Sequence, residues 1–270
     1  NLTEESNLPV MFWIHGGGNT TGAGSAYDFS KLASEHEVIV VSLNYRLGPF
    51  GWFYHPSLNE TSNLKEDKSG NFGLLDQILA LKWLKNNIKE FGGNPKNITI
   101  FGESAGGHNV FSLISSQLAK GLFHRAISQS GSTRTTSIEN ASNYVDDEKT
   151  PGWPTSSREI VNNLLVKNKQ AKDIYEAKIL QDSMNNLNLK NFLQNLSPSE
   201  IFDTYEEEMV AGMFNVPRII ADGYVLPKEG MEFKKGKFNK VPTMLGTNRD
   251  EMKLFYALDE EYVISFSNFL

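Results

Sequence analysis

The hydrophobic positions of the chain form short apolar runs that alternate with stretches of helical periodicity. Apolar runs of this length, rich in β-branched and aromatic residues, are typical of strands, and the run at 37–44 reads as a buried one. Apolar runs separated by helical stretches indicate a sheet flanked by helices, that is, an α/β fold. The predicted strands cover residues 9–14, 37–44, 96–101, 124–131 and 241–248.

The longest amphipathic stretch lies at residues 73–93. Its apolar side chains are spaced 4, 3, 3 and 4 residues apart, which places them on one face of a helix. Gly92 and Gly93 end this helix, and Pro95 prevents its continuation. A second helix is predicted over residues 105–119, and the apolar face of the first consists of Leu74, Ile78, Leu81, Leu84 and Ile88.

Between about residues 135 and 210 the pattern changes to polar, asparagine-rich helical pieces. We interpret 135–210 as a helical insertion over the sheet, within one partial domain that spans residues 1–270. The chain opens without a methionine or a signal-peptide pattern and closes on an apolar run. We therefore expect a piece of a longer protein, truncated at both ends, whose compartment and oligomeric state are open.

The composition excludes several classes of partner. The 270 residues carry a net charge of −6, which argues against binding to nucleic acid or to an anionic membrane. The longest apolar runs, such as 38–43, are too short to span a bilayer. The chain has no cysteine, so disulfides and thiolate metal sites are excluded, and we expect neither a metal nor a cofactor.

The sequence GESAG at residues 102–106 places Ser104 between two glycines, after a predicted strand and before a predicted helix. This is the context of a G-x-S-x-G nucleophile elbow, in which a sharp turn exposes the serine hydroxyl. Gly102 and Gly106 would relieve the crowding at such a turn. The Ala105 N–H, at the start of the helix, is an unpaired donor suited to an oxyanion. A glycine-rich structural turn is the alternative.

A second glycine-rich segment, HGGG at residues 15–18, follows the first predicted strand. Consecutive glycines leave main-chain N–H groups free to bind a ligand oxygen, so Gly17 and Gly18 would join Ala105 as an oxyanion hole. A phosphate-binding P-loop is excluded because no lysine-serine pair follows the glycines.

These motifs, together with VVSLNYRLGPFGW, FGGNPKNITIFGESAGG, LFHRAISQSGS and VPTMLGTNRDE, resemble the type-B carboxylesterases, the family that includes the cholinesterases. The resemblance covers roughly residues 9–131 and 216–256 and implies an α/β-hydrolase fold with a mostly parallel sheet. The family usually has Asp where this chain has Asn94. The lack of cysteine and the GGHNV sequence resemble bacterial members more than the disulfide-bonded animal ones.

The resemblance implies hydrolysis of a small-molecule carboxylic ester by a Ser–Glu–His triad, with Ser104 as the nucleophile. The acid aligns with Glu251, and the neighbouring Asp250 is the competing candidate. None of the five histidines follows Glu251 or fits the base, so the catalytic histidine is expected outside this chain, and the fragment alone is expected to be inactive. His15 is expected to hold the shape of the glycine loop, and His108 lies one helical turn below the serine.

Two alternatives remain at this point. The family also contains cell-adhesion proteins that keep the fold without catalysis, and a catalytically inactive binding module of this kind would be expected to lose the serine. Hydrolases similar to hormone-sensitive lipase also pair HGGG with an elbow serine. That group generally carries Asp before the serine, where this chain has Glu103, and lacks the GTNRDE motif.

Overall fold

The computed structural model describes residues 3, 6–205, 207–208, 213–215 and 219–257. The strands are β1 (Leu8–Ile14), β2 (Ile39–Ser42), β3 (Gly93–Glu103), β4 (Arg125–Gln129), β5 (Glu207–Glu208), β6 (Met213–Phe214) and β7 (Thr243–Gly246). The helices are α1 (Ser30–His36), α2 (Pro56–Glu60), α3 (Phe72–Asn87), α4 (Ala105–Ser115), α5 (Ile138–Ser142), α6 (Ser157–Lys167), α7 (Ile174–Ser183), α8 (Asn186–Gln194), α9 (Pro198–Phe202) and α10 (Lys253–Ala257).

Within the described residues, the main sheet has five parallel strands in the order β2-β1-β3-β4-β7. Phe12 in β1 lies opposite Ile100 in β3, and Phe101 in β3 lies opposite Ile127 in β4. Because all strands run in one direction, the residues that follow β1, β3, β4 and β7 meet at the same edge of the sheet, where sites of α/β proteins assemble. Strands β5 and β6 form a separate antiparallel pair.

Both faces of the sheet carry apolar side chains, as expected for buried parallel strands. On one face, alternate residues of β1 and β3 join the apolar stripes of α3 and α4 in the main core. On the other face, Trp13 and Phe101 pack with centroids 4.8 Å apart, and Tyr27 and Phe29 pack onto Trp13 at 4.8 and 5.4 Å. The predicted face of the first helix is confirmed, since every one of its five side chains is buried in this core.

Helices α6, α7 and α8 have a hydrophobic cluster of their own, against which Phe53 and Leu58 pack. The helical character predicted for residues 135–210 matches the elements α5 to α9, although residues 206, 209 and 210 lie outside the described part. Its assignment as an insertion within one domain stays a prediction. Among the helices in the described part of the chain, none combines the length and the hydropathy needed to cross a membrane.

The prediction of a buried strand over 37–44 was wrong in burial and in length. The strand covers Ile39–Ser42, and its side chains are half-buried or exposed, because β2 lies at the edge of the described sheet and pairs only with β1. Glu37 is in the left-handed conformation, with φ of 49°, and ends α1 before the strand begins. A continuous apolar run therefore did not distinguish a central strand from an edge strand.

Other boundaries also differ from the predictions: the helix predicted over 73–93 ends at Asn87, and a 3₁₀ turn at Ile88–Phe91, capped by Gly92, follows it. Strand β3 extends beyond 96–101 to Gly93–Glu103, with Pro95 inside it at an irregular register against β1, where the missing N–H is tolerated. The helix predicted over 105–119 ends at Ser115, followed by a 3₁₀ turn at Gln117–Ala119. Asn239 terminates it: its Nδ2 donates to the carbonyl oxygens of Leu113 (3.1 Å) and Ser116 (2.8 Å).

A buried asparagine fixes the segment that precedes β7. Asn71 Nδ2 donates to the Ile220 carbonyl oxygen, and the Ile220 N–H donates to Asn71 Oδ1, each at 2.8 Å. The Asn71 side chain thus satisfies both main-chain groups of a buried residue, as a neighbouring strand would. This contact holds Ile219, Val225 and Leu226 in the main core.

We expect Asn71→Ala to destabilise the chain by about 2–4 kcal/mol, because the substitution leaves a buried N–H and a buried C=O without partners. The measurement is the urea midpoint followed by circular dichroism. Asn87→Ala is the matched control, since Asn87 donates to the Trp83 carbonyl oxygen on the exposed surface; its effect should stay below about 0.5 kcal/mol. Equal effects of the two substitutions would contradict this account.

Candidate active site

Ser104 occupies the entire turn between β3 and α4. Strand β3 ends at Glu103 and α4 begins at Ala105, so the chain reverses at one residue with φ of 55° and ψ of −120°. A positive φ at a residue with a Cβ costs of order 1–3 kcal/mol and persists only where surrounding contacts impose it. Here the Ser104 N–H donates to the Gln129 carbonyl oxygen (2.9 Å), and the Ser104 carbonyl oxygen accepts from the His108 N–H (3.0 Å).

The glycines on either side of Ser104 are required by direct main-chain contact, which confirms the crowding expected from the motif. A Cβ at Gly106 would lie 2.0 Å from the Ile14 carbonyl oxygen, and one at Gly102 would lie 2.6 Å from the carbonyl carbon of Gly106. No real Cβ approaches main-chain atoms this closely. The start of α4 therefore lies directly on the end of β1, and only glycine fits at the crossing.

The same crossing brings the glycine loop to the serine. A Cβ at Gly16 would lie 3.3 Å from the Ser104 Cβ and 2.9 Å from the Glu103 carbonyl oxygen. Gly17 and Gly18 follow with φ of 99° and 62°, and the Gly17 carbonyl oxygen accepts from the N–H groups of Thr20 (3.0 Å) and Thr21 (2.9 Å). Among the described residues, none accepts a hydrogen bond from the N–H of Gly17, Gly18 or Ala105.

A buried polar network under the loop holds this shape, as expected for His15. His15 Nδ1 donates to the Gly16 carbonyl oxygen (2.8 Å), and its ring stacks on Tyr45 with centroids 4.4 Å apart. The Tyr45 hydroxyl donates to the His15 carbonyl oxygen (2.7 Å), and Asn109 Nδ2 on α4 donates to Asn19 Oδ1 (2.9 Å). Burial lowers the pKa of His15, so the ring is neutral near pH 7.

The roles of Tyr45, Asn19 and Asn109 in this network did not emerge from the sequence. The three residues lie on separate segments, and only the packing of α4 against β1 brings them together. A polar residue next to the glycine loop, such as Asn19, was the one available signal.

Glu251 lies at the same edge of the sheet, in the turn after β7. The Asn248 N–H donates to Glu251 Oε2 (2.9 Å), and the Ser130 hydroxyl also hydrogen-bonds the carboxylate. The Ser130 hydroxyl, followed by the Asn248 N–H, lowers the pKa of Glu251, because both bonds stabilise its charged form. Ser130 in turn follows β4 directly, and its N–H donates to the Gly246 carbonyl oxygen (2.7 Å).

The second carboxylate of this edge is Glu103, beside the serine. Its pKa is raised, first by burial and then by the negative charge of Glu251. Glu103 ends β3, Ser130 follows the end of β4, and Glu251 lies in the turn after β7, so all three lie at the same edge of the sheet. The sequence pointed to Glu103 and Ser130 only through the motifs that contain them.

The two candidate acids have different surroundings. Asp250 lies within ion-pair distance of Arg249 (3.5 Å) and Lys253 (3.2 Å), both of which are exposed. Glu251 instead contacts Ser130. The residue before Ser130 is Gln129, whose carbonyl oxygen accepts the hydrogen bond from the Ser104 N–H. The structure therefore connects Glu251, and not Asp250, to the serine turn through hydrogen bonds.

Four of the five histidines have other hydrogen-bond partners. His55 is buried between Ser57 and Gln181, and burial lowers its pKa to about 4. His108 Nε2 donates to the Arg134 carbonyl oxygen (2.6 Å), and His124 Nδ1 accepts from the Ile98 N–H (3.2 Å). His36 lies in the last turn of α1, and His15 belongs to the network under the loop. Within the described residues, no group of His, Asp and Glu is arranged to hold a metal ion.

A parallel sheet with a strained serine turn at its carboxyl edge, facing a glycine loop, is the arrangement of an α/β-hydrolase. A model of the carboxylesterase family matches residues 1–268, and the chain belongs to this family.

The similar proteins are esterases. The chain is 40% identical over 262 residues to the para-nitrobenzyl esterase of Bacillus subtilis (strain 168), covering 96% of this chain and 47% of that protein. It is also 40% identical over 261 residues to carboxylesterase 1D of Rattus norvegicus, covering 93% of this chain and 40% of that protein. The chain therefore spans less than half the length of these two relatives.

Solved structures agree in fold. A Geobacillus stearothermophilus carboxylesterase, solved at pH 6.8, superposes with a TM-score of 0.71 at 30% identity and covers 97% of this chain and 50% of that chain. A structure of PNB esterase superposes with a TM-score of 0.69 at 37% identity, covering 92% of this chain and 47% of that chain. The α/β-hydrolase fold expected from the sequence motifs is thereby confirmed.

We expect Gly106→Ala to destabilise the chain by about 3 kcal/mol or more, because its methyl group would overlap the Ile14 carbonyl oxygen. The check is the urea midpoint. Gly246→Ala serves as the control, since a Cβ there meets nothing within 4 Å, and it should change stability by less than about 1 kcal/mol. A Gly106→Ala variant as stable as the control would contradict the described contact.

We expect Ser130→Ala to raise the pKa of Glu251 toward its ordinary value, since the first cause of its lowering is removed. Carboxyl ¹³C NMR titration measures this shift, and Ser132→Ala is the control in the same loop. Because these hydrogen bonds lower the pKa of Glu251 in the folded state, they stabilise the fold at pH values above the ordinary carboxyl pKa. That contribution is lost as pH falls through the folded-state pKa. An unchanged Glu251 titration in Ser130→Ala would refute the contact.

Proposed function

We propose that the protein containing this chain hydrolyses carboxylic esters through an acyl-enzyme formed on Ser104. The observation that carries the proposal is the strained Ser104 turn in contact with the glycine loop, at the edge of the sheet where Glu251 also lies. The ester activities named for the relatives support the same reaction class.

In the proposed reaction, Ser104 Oγ attacks the ester carbonyl carbon while a histidine outside these 270 residues accepts the hydroxyl proton. The N–H groups of Gly17, Gly18 and Ala105 bind the resulting oxyanion. The tetrahedral intermediate collapses, the alcohol leaves with the proton from the histidine, and Ser104 keeps the acyl group. Water then attacks the acyl-enzyme by the same steps, releasing the acid and restoring the serine.

Glu251 is the proposed third member of the triad, which orients the histidine and stabilises its protonated form. The lowered pKa of Glu251 supports this role, because it keeps the carboxylate charged at the pH where a histidine base works. The ion pairs of Asp250 with Arg249 and Lys253 argue against Asp250 in this role. The hydrogen bonds of four of the five histidines, and the position of the fifth in the last turn of α1, support a base supplied from outside this chain.

We expect Ser104→Ala to abolish hydrolysis of 4-nitrophenyl butyrate by the full-length protein, because no other group would form the acyl-enzyme. Glu251→Gln should lower kcat by about 10³–10⁴-fold through loss of the oriented histidine. Asp250→Asn is the matched control next to it and should leave kcat nearly unchanged. Initial rates, followed by the release of 4-nitrophenolate, measure all three variants.

Two results would contradict the proposal. Full activity of Ser104→Ala would exclude Ser104 as the nucleophile. A loss of activity in Asp250→Asn but not in Glu251→Gln would identify Asp250, and not Glu251, as the acid of the triad. Covalent labelling by a fluorophosphonate, detected as a mass increase on the peptide that contains Ser104, separates the esterase from a non-catalytic relative. An adhesion module with this fold would not react.

A further inference from the structure

An open cavity of about 590 Å³ adjoins helix α4 at His108, four residues after Ser104. Its walls come from helix α4, from the loop after β4, from the segment before α6 and from the residue after β6. The residues that line it are His108, Ser132, Arg134, Thr135, Thr136, Trp153 and Asn215. A volume of this size suits a small organic ligand.

Two of these walls begin at the edge of the sheet where the serine turn lies, one after β3 and one after β4. His108 lies one turn after Ser104 on α4, and residues i and i+4 share a face of a helix. Ser132 follows two residues after Ser130, which contacts Glu251. The walls meet where Gly107 packs on the loop, since a Cβ at Gly107 would lie 3.1 Å from the Gly131 Cα. The α4 wall of the cavity therefore lies about one helical turn, roughly 6 Å along the helix axis, from Ser104, which is within the length of a small ester.

The lining has the chemistry of an anion site. It offers a guanidinium, an imidazole, three hydroxyls, an amide and an indole, and its described part carries neither Asp nor Glu. Guanidinium and hydroxyl groups bind carboxylate oxygens through charge-assisted hydrogen bonds.

Within the described part of the chain, Arg134 has no acidic partner, unlike three other arginines. Arg46, Arg158 and Arg249 each form an ion pair with an aspartate. Among the residues that the structure describes, no carboxylate pairs with Arg134. Its guanidinium is thus available to a ligand.

The main chain of Arg134 is fixed although its side chain is exposed. His108 Nε2 donates to the Arg134 carbonyl oxygen (2.6 Å), and the Arg134 N–H donates to Ser132 Oγ (3.2 Å). These bonds do not involve the guanidinium, so a substitution of the side chain would leave the loop in place. They also anchor the base of the side chain at the cavity, which lowers the cost of ordering it on a ligand.

We propose that this cavity makes the enzyme selective for esters that carry a carboxylate, bound by the Arg134 guanidinium with the surrounding hydroxyls. The inference rests on the proposed function and names its substrate class. Because the site is open to solvent, the selectivity should decrease as ionic strength rises.

The test compares two matched pairs of esters on the full-length protein. Mono-4-nitrophenyl adipate and its methyl-capped ester place the charge on the acyl side. The second pair, 4-carboxyphenyl butyrate and its methyl ester, places it on the alcohol side. We expect kcat/KM to favour the charged member of one pair by about tenfold, the effect of one charge-assisted hydrogen bond.

Arg134→Gln should remove this preference and Arg134→Lys should keep part of it. Arg125→Gln is the control, because Arg125 lies at the opposite end of the strands, bonded to Asn97, and it should not change the preference. Equal kcat/KM within both pairs, or a preference that persists in Arg134→Gln, would overturn this inference while the esterase assignment stands. Absence of Ser104-dependent hydrolysis of all four esters would overturn the proposed function instead.

A binding measurement on the full-length protein carrying Ser104→Ala tests the site without catalysis. We expect monomethyl adipate to shift the Trp153 indole N–H signal in ¹H–¹⁵N NMR spectra saturably, and dimethyl adipate to leave it in place. The shift should disappear in Arg134→Gln. A signal that does not respond to the anion, or that responds equally to both esters, would overturn the proposal.

Discussion

The contact between the start of α4 and the end of β1 is the constraint on which the rest of the site depends. Gly106 lies so close to the Ile14 carbonyl oxygen that no side chain fits between them. This contact requires the chain to turn at Ser104 with a positive φ, and the hydrogen bonds to Gln129 and His108 hold that conformation. The strain is therefore a consequence of packing a helix directly on a strand end, and the same packing places the glycine loop beside the serine.

Hydrogen bonds then connect the strand ends into one unit. The Ser104 N–H binds the residue before Ser130, the Ser130 N–H binds Gly246, and the Ser130 hydroxyl binds Glu251. A displacement of β7 relative to β4 would change the position of Glu251 with respect to Ser104. The pKa values of the two carboxylates at this edge are shifted in opposite directions. Hydrogen bonds favour the charged form of Glu251, whereas burial and the charge of Glu251 disfavour the charged form of Glu103.

The charge distribution around the serine is asymmetric. Glu103 and Glu251 lie at the ends of β3 and β7, while the cavity lined by His108 and Arg134 carries no carboxylate in its described part. An ester with an anionic group would be repelled at the first position and attracted at the second. Such an arrangement orients a ligand by its charge, in addition to its shape.

The sequence by itself determined the features that depend on neighbours along the chain. The alternation of apolar runs and helical stretches gave the α/β class, the spacing of Leu74 to Ile88 gave the buried face of α3, and the glycines around Ser104 gave the strained turn. These features are local, because helical periodicity and the steric requirement of one turn depend on residues that are close together in the sequence.

Only the tertiary structure decided what depends on distant segments. It showed that β2 lies at the edge of the described sheet, that Asn239 ends α4 and that Asn71 binds Ile220. It also showed that Glu251 contacts Ser130, whereas Asp250 faces Arg249 and Lys253. Adjacent carboxylates look alike in sequence, and their difference arises from the direction in which each side chain leaves a turn. A hydrogen bond across more than a hundred residues leaves no periodic signal in the chain, so such partners are fixed by the packed fold alone.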